Sequence, residues 1–377
     1  MPEPFFHENF TYIYGFDHVM QLPYKRIIVK IGSNVLTRKD RLPDLERIEQ
    51  LVEQVARLRK EGMEIILVSS GAVAFGRSLI NDSGKYDTVA ARQLLASTGQ
   101  VHLINAFARF FAQHQTLCSQ VLVTKEDFRD RLHYLHMKNC FEILLQHNVV
   151  PVVNENDVIS VTELMFTDND ELAGLIASML NAQALLILTN VDGIFRGVPG
   201  EEGSELIEEV HDSSMVFSSF VSAHRSQFGR GGMITKSGIA KKAAALGISV
   251  HIANGTAPDV LTRVLNGSIP HTRFLPKKSA SGKKKWIAHA GHNAKGSVLI
   301  NEGAKQALTS ARANSLLPVG IVSVKADFQK GDVIRLMDEE GTLVGLGIAE
   351  YGSEKARERL GQKKQKPLVH YDYLFLL

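Results

Sequence analysis

Six short aliphatic runs, each closing on a small or polar residue, constrain this chain more than any other feature. They are Arg26–Ile31, Glu64–Val68, Gln120–Thr124, Val149–Val153, Ala184–Thr189 and Ile248–Ala253. Helical stretches separate them; Leu45–Lys60, for one, has apolar residues at 48, 51, 52, 55 and 58, a stripe of period 3.6. Runs that are apolar throughout, rather than alternating, are buried on both faces, and strands separated by helices pair in parallel. The expectation is an α/β unit: a mainly parallel sheet with helices on both faces.

The chain has 377 residues, more than one ordinary domain, and its grammar changes after residue 270. HTRFLPKKSASGKKK at 271–285 contains five lysines and reads as a solvated basic linker. Beyond it, Ser297–Ile300, Gly320–Val324, Asp332–Leu336 and Leu343–Ala349 read as short strands between Gly-containing and charged turns, with one helix at Ala304–Ala313. The expected division is an N-terminal extension at 1–22, the α/β domain at 23–270, the linker, and a small mostly-β domain at 286–377. The extension is aromatic but aperiodic and carries no readable role.

Composition removes several classes of function. Hydrophobic residues make up 44% and charged residues 22%, so a packed core is expected rather than disorder. No apolar run approaches the ~20 residues that cross a bilayer. MPEPFFHENF offers no basic leader ahead of an apolar stretch, and two cysteines, Cys118 and Cys140, make no disulfide framework. A cytoplasmic protein without membrane contact is expected. Charge is uneven: residues 271–377 hold 18 Lys+Arg against 10 Asp+Glu, leaving 25 against 30 for the rest. Two units with different partners would account for it.

The chemistry-bearing residues sit where such sheets bind ligands, at the carboxyl ends of strands. Lys30 and Gly32 close the first run, and Ser69-Ser70-Gly71 the second. Val149–Val153 ends in Asn154-Glu155-Asn156-Asp157, and Asp168-Asn169-Asp170 stands just before a helix. An N-cap role would account for one of those three residues, which favours a functional cluster. Thr189-Asn190 follows another run, and Gly229-Arg230-Gly231-Gly232-Met233-Ile234-Thr235-Lys236 is a glycine loop feeding a helix, suited to phosphate oxygens. There is no G-x-x-x-x-G-K-[ST] loop, no G-x-S-x-G elbow and no set of metal-ligating His or Cys.

Taken in order, VKIGSNVLT (29–37), LVSSGAVAFGR (67–77), PVVNENDVI (151–159), TDNDELAGLIA (167–177), LTNVDGIF (188–195) and GRGGMITK (229–236) resemble the amino acid kinase family. Within it they are most similar to members that phosphorylate L-glutamate. NEGAKQALTSARANSLLPVGIVSVKADFQKGDVI at 301–334 resembles a PUA domain.

The resemblance implies transfer of the ATP γ-phosphoryl group to the side-chain carboxylate of L-glutamate, giving glutamyl 5-phosphate for proline synthesis. It implies a catalytic set of Lys30, Lys236 and Asp170, with Asp170 organising the two ammonium groups. Glutamate would be bound by Ser70, Asp157, Asn169 and Asp168, and the nucleotide by Lys30, Thr189, Asn190 and Arg230, Gly231, Gly232, Met233, Ile234, Thr235 and Lys236. Mg2+ would ride on the phosphates, with no metal site in the protein. Feedback by proline and a dimer or tetramer are further family expectations.

One departure is visible: many relatives carry Asp where this chain has Asn190. Competing readings are members acting on N-acetylglutamate, uridylate or aspartate, and an RNA-binding protein. The last would use the PUA-like tail with Lys355, Arg357, Arg359, Lys363, Lys364 and Lys366, a run that also reads as a solvated face.

Overall fold

Strand β1 (Arg26–Ile31) is followed by β2 (Glu64–Ser69), β3 (Leu117–Val123), β4 (Val149–Glu155) and β5 (Ala184–Thr189). The short β6 (Phe195–Arg196), β7 (Glu205–Leu206) and β8 (Glu209–Val210) precede β9 (Ser249–Asn254) and β10 (Thr272–Phe274). Eight of these form one sheet in the order β3-β4-β2-β1-β5-β9-β10-β8, with β6 and β7 paired apart. Neighbours run parallel except β9 and β10. The computed structural model describes residues 23–80, 88–128, 130–159, 166, 168–211, 232–277, 284, 286–287, 294–310 and 314–376. The extension at 1–22, Arg230, Gly231 and much of the linker lie outside the described residues.

Helices α1 (Ser33–Leu36), α2 (Leu45–Lys60), α3 (Ala72–Leu79), α4 (Thr88–Gln113), α5 (Arg131–Gln146), α6 (Asn169–Met179), α7 (Met233–Ala245) and α8 (Val260–Leu265) cover the sheet. The two-residue alternation of β1 divides the core. Ile27, Val29 and Ile31 pack with Leu51 and Val55 of α2 and Phe107 and Phe111 of α4. Ile28 faces the other side with Leu172 and Ile176 of α6 and Ala240 of α7. Burial on both faces is what leaves β2 and β5 without polar side chains between their ends, and β4 without one before Asn154. The apolar stripe of α2 is the buried one, and Asp44 caps that helix by accepting from Arg47 N at 3.0 Å.

Helices α3 and α4 touch through glycine. A Cβ on Gly99 would lie 1.8 Å from Ala72 O, and one on Gly76 2.0 Å from Leu95 O. Neither position tolerates a side chain without parting the helices, so the close contact depends on both.

The tail forms a separate five-stranded sheet of β11 (Gly296–Ile300), β12 (Ile321–Lys325), β13 (Val333–Met337), β14 (Leu343–Ile348) and β15 (Leu374–Leu376), ordered β12-β11-β13-β14-β15. It carries α9 (Glu302–Thr309) and α10 (Ser353–Glu358) over its own core of Val298, Ile300, Ile334, Leu336 and Leu368. The helix expected to run to Ala313 ends at Thr309. Trp286, placed by the sequence on the tail side of the linker, packs edge-on against Tyr134 of α5 at 6.4 Å. The Arg131 guanidinium lies 4.7 Å over the Trp286 ring. Trp286 and Ile287 thus share a buried cluster with residues of the larger unit as well as with Val333 and Leu346 of the tail.

Candidate active site

The site assembles at the carboxyl ends of β1, β2, β4 and β5, where the strand order turns outward from β1 in both directions. Lys30, next to last in β1, is 5% exposed. An uncompensated ammonium at that depth would be costly, and its partner is Asp170 on the first turn of α6. Asp170 is wholly buried, with Oδ1 2.6 Å from Lys30 Nζ and Oδ2 2.9 Å from Lys236 Nζ. Three residues far apart in sequence thus form one clamp with a carboxylate at its centre. Burial alone would push that carboxyl up, but the two ammonium groups prevail and hold it below the usual carboxylate range.

Asp168 is the cap of α6. Its Oδ1 accepts from Asp170 N at 2.9 Å and Glu171 N at 3.1 Å, which fixes the turn that presents Asp170. Its Oδ2 is buried with no hydrogen-bond partner among the described residues. Burial, followed by the charge of Asp170, pushes the Asp168 carboxyl up to about 6 against the pull of Lys30 and Lys236. Asn169, between them, ties two strand ends together: its Nδ2 donates to Ser69 O at 3.1 Å and Ser70 Oγ at 3.1 Å at the end of β2, and to Asn154 Oδ1 of β4 at 3.0 Å. Asn154 in turn donates to Gln100 of α4 at 2.9 Å. The cluster at 168–170 accordingly divides into a cap, a strand tie and a charge clamp.

Beside the clamp lies a cavity of about 430 Å3 whose wall includes Ser70, Asp157, Asp168 and Asn169, the four residues expected around the amino acid. Gly71 allows the wall to turn: it stands at φ +109° at the start of α3, a conformation that favours glycine. Residues that sequence reasoning did not single out also face this cavity, among them Arg92 and Glu155. The Arg92 guanidinium donates to Asp157 Oδ1 through Nε at 2.9 Å and through Nη2. The nearest signal in the sequence is a single cation in the apolar opening of α4, TVAARQLL. Glu155 accepts from Phe166 N at 2.9 Å and lies 3.5 Å from Arg92 Nη2.

The residues expected at the nucleotide occupy two other places. Thr189 ends β5, nearly buried, with its Oγ1 3.4 Å from Asn190 Oδ1. Asp192, the acid nearest to Asn190, accepts from Asn254 at 3.1 Å, which binds it to the end of β9. Gly232 caps α7 without a side-chain hydrogen bond, so Met233, Ile234 and Thr235 begin that helix with backbone N–H groups that no described side chain caps. Such an end favours an anion, and Lys236 adds a full charge one turn in. The donor set fits a polyphosphate. It also fits a cation carried by that phosphate, since Asp168 Oδ2 has no other partner among the described residues. Among those residues, no group of three or more His, Cys, Asp and Glu could hold a metal ion.

Residues 25–254 match the amino acid kinase family and residues 296–371 the PUA domain. A glutamate 5-kinase of Chlorobaculum tepidum is 50% identical over 94% of this chain and 98% of its own length. One of Bacteroides thetaiotaomicron is 50% identical over 95% of this chain and 100% of its own. One of Aliivibrio fischeri is 37% identical over 94% and 96%.

Proposed function

Because this chain belongs to the amino acid kinase family, we propose that the clamp and the cavity beside it carry out phosphoryl transfer from ATP to the side-chain carboxylate of L-glutamate. The product is glutamyl 5-phosphate, and the reaction opens proline biosynthesis. Relatives named glutamate 5-kinase, aligned over nearly their whole length, support the substrate. The observation that carries the reading is Asp170 bridging Lys30 and Lys236 next to a cavity walled by Ser70, Asp157, Asp168 and Asn169.

The chemistry asks little covalent work of the protein. A side-chain carboxylate oxygen of glutamate forms the new bond to the γ-phosphorus, and the bond from that phosphorus to the β,γ-bridging oxygen breaks, leaving ADP. The nucleophile is already ionised near neutrality, since a glutamate side chain titrates at about 4.3; no general base is required. Catalysis then rests on alignment and on neutralising the phosphoryl oxygens. Lys30 and Lys236 supply positive charge from two different elements. Asp170 positions both and keeps two like charges side by side. The uncapped start of α7 receives the phosphates, with Thr189 and Asn190 at the nucleotide. Magnesium on the phosphate oxygens would supply further charge neutralisation, with Asp168 Oδ2 the protein oxygen available to it.

On the acceptor side Asp157 serves the substrate ammonium, and Ser70 and Asn169 hold the chain of the amino acid. Self-association belongs to the same reading, supported by apolar side chains in the open on the edge strand β3 (Leu117) and on α5 (Leu132, Leu135, Ile143). A cytoplasmic location does too, supported by Cys118 and Cys140 remaining free thiols. The tail cations support RNA binding less well. Arg357 is paired to Asp327 at 2.7 Å and Arg359 lies over the Tyr351 ring, so two of the six serve the fold of their own domain.

Trapping the acyl phosphate with hydroxylamine tests the proposal. With Mg-ATP, hydroxamate should form with L-glutamate and not with N-acetylglutamate or aspartate. No hydroxamate with any carboxylate would overturn it.

A further inference from the structure

Arg92 does not belong to the phosphate machinery, yet it is a half-buried cation on the wall of the acceptor cavity. Its Nε and Nη2 are committed to Asp157 Oδ1, and Glu155 Oε2 lies 3.5 Å behind Nη2. A guanidinium has five N–H donors, and here Nη1 makes no hydrogen bond to a described residue. Asp157 likewise uses only Oδ1, and its Oδ2 accepts from no described residue. The two side chains are thus locked to each other by one edge and one oxygen, and each keeps a second edge and a second oxygen for something else.

That leftover pair has the polarity of an α-amino acid head in reverse. We infer that Arg92 is the receptor for the substrate's α-carboxylate, taken on the Nη1 side of the guanidinium while Asp157 Oδ2 takes the α-ammonium. This rests on the reading of the cavity as the glutamate site. Arginine suits the task because its planar fork matches a carboxylate with two parallel bonds. The local balance of Arg92 against Asp157 and Glu155 is one negative charge, so a zwitterion is preferred over an N-acylated acid, which lacks the compensating ammonium.

Position agrees with the assignment. Strand β2 lies between β4 and β1, so the ends of β4 and β1 stand two strand spacings apart, about 10 Å. Arg92 and Asp157 reach in from the β4 side, and the Lys30–Asp170–Lys236 clamp from the β1 side. A five-carbon dicarboxylate bridges that span with its two carboxylates pointing to opposite ends. Arg41 and Arg77 also line the cavity but are exposed, and neither is paired with Asp157.

Two analogues separate the head groups: 4-aminobutyrate is glutamate without its α-carboxylate, and glutarate is glutamate without its ammonium. Arg92→Gln should lower kcat/KM for L-glutamate about 30-fold to 100-fold, as befits loss of a charge-assisted bidentate pair. The loss should fall in KM, with KM for ATP unchanged. The same variant should leave 4-aminobutyrate within about 3-fold in turnover, or in Ki against glutamate where turnover is slow, because that ligand never used the arginine. Arg92→Lys should recover part of the glutamate loss, and Asp157→Asn should penalise glutamate and 4-aminobutyrate but spare glutarate.

Equal losses on glutamate and 4-aminobutyrate in Arg92→Gln would make the arginine a strut for Asp157 and overturn the inference. An unchanged glutamate KM would do the same. Should Arg92→Gln not fold, the wild type decides: similar affinity for glutamate and 4-aminobutyrate also overturns it. Absence of any glutamate turnover by the wild type would instead overturn the substrate reading beneath it.

Discussion

Asp170→Asn removes one charge from the centre of the clamp and almost no volume. The native carboxylate is wholly buried and holds Lys30 Nζ at 2.6 Å and Lys236 Nζ at 2.9 Å. An amide of the same shape offers one acceptor, and its NH2 turns a donor toward the other ammonium. Two unit charges about 6 Å apart, at an effective dielectric of about 20, repel by about 3 kcal/mol. Leaving a buried charge without its partner costs about 3–5 kcal/mol.

The fold can absorb this only by letting one or both lysines swing out, and then the phosphoryl oxygens lose their cations. At about 1.4 kcal/mol per tenfold, two misplaced groups of about 2 kcal/mol each lower kcat about 1,000-fold. KM for glutamate should move less than about 3-fold, because the head-group contacts lie on the far side of the cavity. Coupled ADP release at saturating Mg-ATP, with urea unfolding of the same preparation, gives both quantities. A kcat within about 10-fold of wild type at an unchanged urea midpoint would refute the view that Asp170 holds the two lysines.

Lys236→Ala should lower turnover at least about 1,000-fold, and near-normal turnover would show that the start of α7 does not face the phosphates. Asp168 titrates at about 6 in the fold against an ordinary 3.8, so its contribution to stability is fully present below about pH 4 and is lost as pH rises through 6. Asp168→Asn keeps a capping side chain and has no such loss; between pH 4 and pH 7 its unfolding free energy should shift relative to wild type by up to about 3 kcal/mol in the variant's favour, and a constant difference in urea titrations would count against the raised carboxyl. Gly99→Ala places a methyl 1.8 Å from Ala72 O, so α3 and α4 must part at a cost of about 3 kcal/mol or more; an unchanged melting temperature would contradict the contact.

Most of the sheet, and the places where its strands end in polar residues, could be read from the sequence for one physical reason; the pairing of Lys30 and Lys236 with Asp170 came only from the family resemblance. Parallel strands covered on both faces must be apolar, so a polar residue such as Lys30, or a cluster such as 154–157, stands out where the strand ends. The division of labour within Asp168-Asn169-Asp170 could not be read, because three adjacent polar residues give no sign of which caps, which ties and which pairs. Arg92 was invisible for the opposite reason. It lies in a helix among ordinary alanines and leucines, and its importance comes only from meeting Asp157, 65 residues away, across the cavity. Strand order was equally hidden: nothing in the run Ala184–Thr189 says that it pairs with Arg26–Ile31 rather than with the strand before it. The packing of Trp286 against Tyr134 was hidden too, since five lysines mark where a chain is solvated and not where the next residue packs.

Under the proposed function, the charges around the clamp bear on how one site would accept two anions without repelling its own acids. Lys30 and Lys236 share the carboxylate of Asp170, so these three groups sum to one positive charge, which Asp168 offsets while it is ionised. Its carboxyl lies near 6 because burial and Asp170 oppose ionisation. A triphosphate and a substrate carboxylate arriving beside it add negative charge and push it further up. Magnesium carried by the nucleotide would oppose that shift, with Asp168 Oδ2 the oxygen available to it. Two carboxyls two residues apart are thus driven in opposite directions, Asp168 up by burial and by Asp170, and Asp170 down by two ammonium groups.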